Sequence, residues 1–352
     1  MFDSNNNDYP ESWPLFLLAE PSGVMDLPGE RQQIRADDLF KQKHVIVYAE
    51  RGHRQQEFIG WLTKQLSIPS TELHLSTWDI DSSADKPSVL AQSLKALGEH
   101  PTAHRFYAVL DKHESSAREA NSSREREALI CKSFEVLETE IAIGFAVQLR
   151  RFQERHRQSS LHILSASSTY LPFSDKDDAS GYAPLCRQYR LANYNAAELC
   201  ALPGFTSLQT GGQREVITHI LQETGGQPLL VKLLGQRLQR LLELEPGVAI
   251  DIDLVEKAMR QMRNSPPGEC NAWKSHLKRS LEQQLGLIQH IKSYVRGETL
   301  GKFRLPPPIE ELELYTGGWL AINADGRWGM TSRFHAYLAS QVLDSLKEQG
   351  LC

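Results

Sequence analysis

No stretch of this 352-residue chain approaches the roughly 20 consecutive apolar residues that a membrane-spanning helix needs. The opening, MFDSNNNDYPESWPLFLLAE, sets acidic and Asn residues ahead of a very short apolar stretch, whereas a signal peptide has a basic start and a longer apolar core. Both absences point to a cytoplasmic protein with no membrane attachment. Cysteine is scarce: Cys131, Cys186, Cys200, Cys270 and Cys352 are scattered, with no CxxC pair. Neither a disulfide framework nor closely spaced zinc ligands can be read from them, and they read as reduced thiols. A basic excess is missing as well. At a net charge of −5, no global positive field draws the molecule onto nucleic acid or anionic membrane, although local basic faces remain open. Internal repeats, low-complexity tracts and a GxSxG nucleophile motif are all absent.

What is present is an ordinary globular composition, 40% hydrophobic and 24% charged, in a chain long enough for two or three domains. Residues 1–24 read as a tail. From there to residue 193, short β-branched or apolar runs alternate with helical periodicity. HVIVY (44–48), TELHLS (71–76), RFYAVL (105–110), LHILSA (161–166) and RQYRL (187–191) read as strands. Phe58, Trp61, Leu62 and Leu66 mark a helix after the first of them, and a long amphipathic helix is expected from about Ala128 to Gln153. Alternation of this kind implies a parallel sheet covered on both faces, an α/β domain. Beyond Leu191 the strand signal stops, and residues 194–264 read as a helical domain in which Asp251 caps the last helix. NSPPGEC opens a third part, 265–352: two helices, a hairpin around Asp325-Gly326 and a closing helix, the pattern of a winged helix.

A P-loop, GxxxxGK[ST], cradles phosphate with backbone N–H groups at a helix N-terminus; its lysine neutralises the β- and γ-phosphates and its hydroxyl holds magnesium. HVIVY followed by a helix is the right context. The residues in that frame, however, are Ala49, Glu50, Arg51, Gly52, His53, Arg54, Gln55 and Gln56. Ala49 and Arg54 replace the framing glycines, Gln55 the lysine and Gln56 the hydroxyl residue. A hydrolysing enzyme also ends its third strand in paired acids, one for magnesium and one to activate water. With RFYAVL as that strand, Asp111 supplies the first acid and Lys112 stands in place of the second.

Taken more widely, the chain resembles the AAA+/STAND ATPases over about residues 25–345. PGERQQIRADDLFKQKHVIVYAERGHRQQEFIGWL is similar to the box and loop that open such proteins. LANYNAAELCAL with REVITHILQETGGQPLLVKLLGQRL is similar to their helical lid, and LELYTGGWLAINADGRWGMTSRFHAYL to the winged helix that follows. The resemblance implies a P-loop NTPase-like α/β domain, then a lid, then a winged helix. It further implies that Pro228, in the run Gly225-Gly226-Gln227-Pro228, packs near a nucleotide base. Gly225 and Pro228 also have a purely structural reading, glycine ending one helix and proline starting the next. Where active relatives carry an arginine after the strand corresponding to LHILSA, this chain has Ser167-Ser168.

Other candidates weigh less. His53 and Glu57 lie four apart with no third ligand nearby in sequence, so they read as a surface pair and no metal is expected. Asp111, His113 and Glu114 could form an acid–base cluster, but a solvated loop accounts for them. Arg150, Arg151, Arg155, His156 and Arg157 complement a helix C-terminus. Lys274, Lys278, Arg279, Arg327 and Arg333 are too dispersed to beat an ordinary surface, and Trp319 and Trp328 read as packing residues. The expectation is a non-catalytic scaffold or adaptor in a multi-component bacterial conflict or signalling system. It would bind other protein subunits, with neither ATP nor ADP required as cofactor. Two alternatives stand beside it: a nucleotide-sensing switch using Arg51 or Arg54, and a winged-helix DNA binder of the origin-recognition or transposition type.

Overall fold

The computed structural model describes residues 10–351 except 20–31, 42–43, 49–53, 76, 83–87, 99–100, 120–125, 133–136, 138, 168–180, 183–184, 210–212, 246, 299–310, 312–313, 316 and 323–326. The chain divides into two compact units, Asp8–Ala192 and Asn193–Cys352. Among the described residues no helix is long and apolar enough to cross a membrane.

The first unit is an α/β domain. Its elements are β1 (Trp13–Ala19), β2 (Gln32–Ile34), α1 (Ala36–Leu39), β3 (His44–Tyr48), α2 (Arg54–Gln65), β4 (Ser70–His74), β5 (Asp79–Ser82), α3 (Val89–Lys95), α4 (Ala103–Glu119), β6 (Glu127–Lys132), α5 (Thr139–Arg155), β7 (Leu161–Ser167) and β8 (Arg187–Leu191). They build one eight-stranded sheet in the order β2-β1-β8-β3-β7-β6-β4-β5. The middle five strands are parallel, and β1, β2 and β5 extend the edges antiparallel. The expected α/β class is what the chain adopts: a largely parallel sheet with helices, followed by a helical C-terminal region. HVIVY, LHILSA and RQYRL are strands where periodicity put them, and TELHLS lies largely in β4.

Three local readings are corrected. RFYAVL is not a strand: it lies inside α4, where Phe106, Leu110, His113 and Glu114 are buried at helical spacing. The third parallel strand is instead β6, at the start of the segment read as a long helix, and the helix α5 begins only at Thr139. Ala128, Leu129, Ile130 and Cys131 are all 0% exposed, and four consecutive buried residues suit a strand covered on both faces, not an amphipathic helix. Finally, part of the tail is structural. Trp13–Ala19 forms β1 and pairs with β8, so that β8 is not an open edge. Trp13 packs on Phe58 and Trp61 of α2 with ring centroids 5.9 and 5.5 Å apart, and Trp61 Nε1 donates to Pro10 O at 2.6 Å. Each such aromatic adds about 2–3 kcal/mol of burial to the seating of α2 on the sheet.

The second unit comprises α6 (Ala196–Ala201), α7 (Arg214–Thr224), α8 (Pro228–Leu244), α9 (Ile252–Asn264), α10 (Glu269–Gln283), α11 (Leu287–Val295), β9 (Leu320–Ile322), β10 (Trp328–Met330) and α12 (Arg333–Glu348). Its helix starts follow the sequence closely. Asn195 forms a capping box with Glu198, and Asp251 accepts from Leu254 N at 2.8 Å. Pro228 is the first residue of α8, and the Gln227 side chain accepts from Leu230 N at 2.8 Å. β9 and β10 pair antiparallel, Trp328 opposite Ile322; their Asp325-Gly326 turn lies outside the described residues. Buried Trp319 and Trp328 pack as expected. The Trp319 ring meets His335 at 5.6 Å, and Trp273 stacks on His335 at 5.4 Å.

Candidate functional site at the carboxyl rim of the parallel sheet

In an open α/β sheet, ligands gather outside the carboxyl ends of the strands, where connections run off in opposite directions. Here that point is the end of β3. The chain leaves β3 toward β4 on one side and later crosses from β7 to β8 on the other. Buried β-branched residues and the aromatic cluster under α2 hold this region in place.

The connection that would bind phosphate runs from Tyr48 to the start of α2 at Arg54. Arg51, Gly52 and His53 lie outside the described residues, as do Ala49 and Glu50; of Arg54 only the backbone is described, as the first residue of α2. Gln56, at the hydroxyl position, and Glu57 point into solvent. Gln55, at the lysine position, is half-buried, and its Nε2 is enclosed with no acceptor among the described residues. An amide there can donate a hydrogen bond but brings no positive charge to phosphate.

Along the rim the five parallel strands end, in spatial order, in Leu191, Tyr48, Ser167, Lys132 and His74. No strand ends in a carboxylate. The residue that sequence reasoning missed is Lys132, the last of β6. Its Nζ lies 2.5 Å from Glu72 Oε2 on β4, both side chains about four-fifths buried. Burial first, and then the Lys132 charge, hold the neighbouring His74 imidazole below its ordinary value. One residue before Lys132, burial pushes the Cys131 thiol up to about 12, so that no thiolate nucleophile forms on this strand. At the end of β6 the rim therefore carries a lysine paired with Glu72 of β4, and beyond β4 the edge strand β5 adds Asp79 opposite His74 and Asp81 opposite Glu72. The signal for Lys132 was the four-residue apolar run ALIC before it, obscured because the following amphipathic stretch was extended back over it.

Asp111 belongs elsewhere. It sits in the middle of α4, where its Oδ1 lies 2.7 Å from His156 Nε2 and 3.2 Å from Arg155 Nε. The neighbouring Glu114 accepts from Ser159 Oγ at 2.8 Å and from Ser160 N at 3.3 Å, just before β7 begins. His113 Nε2 lies 3.6 Å from Glu127 Oε2, at the first residue of β6. This polar face therefore packs at the amino ends of β6 and β7, opposite the rim. Asp111, His113 and Glu114 are neither a strand-end acid pair nor a solvated loop; they anchor a helix. Two of the arginines read as a helix-end cluster are engaged too, Arg150 with Glu154 at 2.9 Å and Arg155 with Asp111.

Pro228 lies in the second unit, within a tightly packed junction. Gly225 and Gly226 have φ of +63° and +66°. A Cβ on Gly225 would meet Thr331 at 2.6 Å, and one on Gly226 would meet the Tyr194 carbonyl oxygen. Asn193 Nδ2 donates to Gly225 O at 3.1 Å and Tyr194 N to Gly226 O at 2.8 Å. Only glycine fits both places, which is the structural reading of the Gly-Gly-Gln-Pro run.

Among the described residues one cluster of potential metal donors is present, His219, Glu223 and Glu256, with ligand atoms within 4.8 Å of one another. It does not suit a cation. Glu223, 1% exposed, is held by Arg263 and by Arg333, and His219 Nε2 lies 2.9 Å from Glu256.

No protein-family model matches the chain, and no curated protein matches it. Distant similarities to solved structures exist. A Thermotoga maritima RuvB Holliday junction branch migration motor is 13% identical with a TM-score of 0.38, covering 88% of this chain and 87% of its own. A Walker-type ATPase of Pyrococcus abyssi is 10% identical with a TM-score of 0.46, covering 86% of this chain and 93% of its own. The FIGL-1 AAA domain, solved in complex with ADP, is 12% identical with a TM-score of 0.38, covering 66% of this chain and 78% of its own.

Proposed function

We propose that this chain is a non-catalytic AAA+/STAND-type scaffold or adaptor, working through contacts with other protein subunits in a multi-component bacterial conflict or signalling system. The observation that carries the reading is the Lys132–Glu72 pair at the end of β6. Phosphoryl transfer needs carboxylates that hold magnesium and activate water at the rim. Here the end of β6 presents an ammonium group instead, paired with Glu72 of β4, while the other acids nearby, Asp79 and Asp81, stand on β5 at the sheet edge. Gln55 and Gln56 add to this by removing the positive charge and the hydroxyl that hold phosphate and metal. The α10–α11–hairpin–α12 portion takes the role of the winged helix and α6–α9 that of the lid. Against a DNA-binding use of the former, Lys278 lies 3.8 Å from Glu282 and Arg333 pairs with buried Glu223.

The test is isothermal calorimetry of the folded chain with ATP and with ADP, each with magnesium. The expected result is no detectable heat up to millimolar nucleotide. Clear binding would overturn the reading and make the chain a nucleotide switch, with Arg51 and Arg54 the first residues to replace.

A further inference from the structure

The second unit carries a concave surface that the reading above leaves unused. It lies between α8 and the end of α9, with a volume of about 220 Å³. This is below the roughly 300–1,000 Å³ of sites that enclose small molecules, and suits anchoring by a side chain. Half-buried Leu233, buried Met262, Pro266 and Pro267 are its apolar lining, and Gln236 and Ser265 add polar groups. The two prolines offer no N–H and so present rings and carbonyl groups. Arg237 and Arg240 of α8 line it as well.

On α8, Leu233, Arg237, Arg240 and Leu244 fall at i, i+4, i+7 and i+11 and so share one face. Leu244, 77% exposed, extends the apolar contact beyond the two cations. Among the described residues, neither Arg237 nor Arg240 meets a carboxylate. The acids near them in the chain are engaged: Glu243 accepts from Gln239, Glu245 from Lys257, and Glu256 lies against His219. Two guanidinium groups three residues apart on one helix face, unpaired among the described residues and beside Leu233, Pro266 and Pro267, are in a chain of net charge −5 a local feature with a specific complement.

We propose that this α8–α9 groove docks an acidic linear segment of a protein partner. One apolar side chain would seat on Leu233, Pro266 and Pro267, and carboxylates on either side would meet Arg237 and Arg240. The proposal rests on the scaffold reading and names the chemistry of the partner. Nucleic acid fits less well: two cations flanked by leucines and prolines do not track a phosphate backbone, which takes a row of cations.

The experiment is selection from a displayed random peptide library on the full chain and on an R237E/R240E variant. It is followed by fluorescence anisotropy of the selected peptide, labelled with fluorescein. Acidic sequences with an interspersed apolar residue should be enriched on the unchanged chain only. The peptide should bind at least about tenfold more weakly to R237E/R240E, lose affinity as salt rises, and bind unchanged to an R279E variant, a change at an exposed position of α10. Circular dichroism would show that both variants remain folded. No acidic enrichment, equal binding by R237E/R240E, or displacement of the peptide by a DNA duplex would each overturn the proposal. The nucleotide titration is independent of this groove. Nucleotide heat would remove the scaffold reading while leaving arginine-dependent peptide binding measurable; failed peptide selection with a silent titration would remove the groove alone.

Discussion

Asp111 Oδ1 and His156 Nε2 lie 2.7 Å apart, and this contact ties the middle of α4 to the residue that follows α5. An acid that the sequence offers as a magnesium ligand is thereby a helix anchor at the far end of the sheet. Asp111→Ala should cost about 1–3 kcal/mol, because it leaves a buried imidazole unpaired. That corresponds to a fall in Tm of several degrees in thermal unfolding, with the response to magnesium nucleotide unchanged. A variant of unaltered stability would show that the contact contributes nothing.

Glu127 gathers a second polar group. Ser88 Oγ donates to it at 2.5 Å and Thr71 Oγ1 at 3.1 Å, with His113 alongside. Burial pushes its carboxyl up, but hydrogen bonds from His113 and Ser88 and the His113 charge outweigh this and hold it below its ordinary value of 4.5. A carboxylate depressed in the folded state stabilises above its unfolded value and loses that contribution as pH falls through the folded one. Denaturant unfolding should therefore show stability dropping below about pH 4.5, and E127Q should flatten that dependence. An equally steep acid limb in E127Q would exclude Glu127 as its source.

Gly226 combines a left-handed backbone with a carbonyl oxygen where a Cβ would lie. Gly226→Ala is expected to destabilise by about 3 kcal/mol, from backbone strain plus displacement of Tyr194. Gly268 has φ −57° and nothing within 4 Å of its Cβ position. Its alanine variant should stay within about 0.5 kcal/mol of the parent. Equal costs at the two positions in chemical denaturation would contradict this account of the Gly-Gly-Gln-Pro run.

Glu223 joins α7 to Arg263 at the end of α9 and to Arg333 at the start of α12. The Arg263 side chain is 27% exposed and that of Arg333 58%, so water can take up either cation if the acid is removed. Glu223→Ala should thus cost about 2 kcal/mol, below the 3–5 kcal/mol of fully buried pairs. Arg333→Ala should cost under about 1 kcal/mol, as for exposed pairs. Unfolding curves that rank Arg333→Ala above Arg263→Ala would reverse the assignment of the main partner.

Much of the fold was legible where one physical signal acted alone. The buried β-branched run at 44–48 could only be an interior strand, and the leucine face of 228–244 only a helix. Ambiguity arose where two signals competed. In 105–116 an apolar run of strand length sits inside a helix, whose buried face includes His113 and Glu114, residues that count as polar until their partners Glu127 and Ser159 are known. In 127–153 a buried strand runs almost directly into an amphipathic helix, and helical periodicity alone blurs the boundary. The candidate site suffered most, since the end of β6 could be located only after β6 itself.

The sequence by itself determined the general alternation of strands and helices, the helix cap at Asp251, and the glycine-to-proline junction between the helices that meet at Gly225 and Pro228. Each of these follows from interactions within a few residues. Only the tertiary structure decided which acids lie at the rim, that Lys132 meets Glu72, and that Asp111 turns away to His156. Those outcomes depend on strand order and on which end of the sheet a helix crosses. Residues 45 to 60 positions apart in the chain come into contact there, and no local spacing encodes such a meeting.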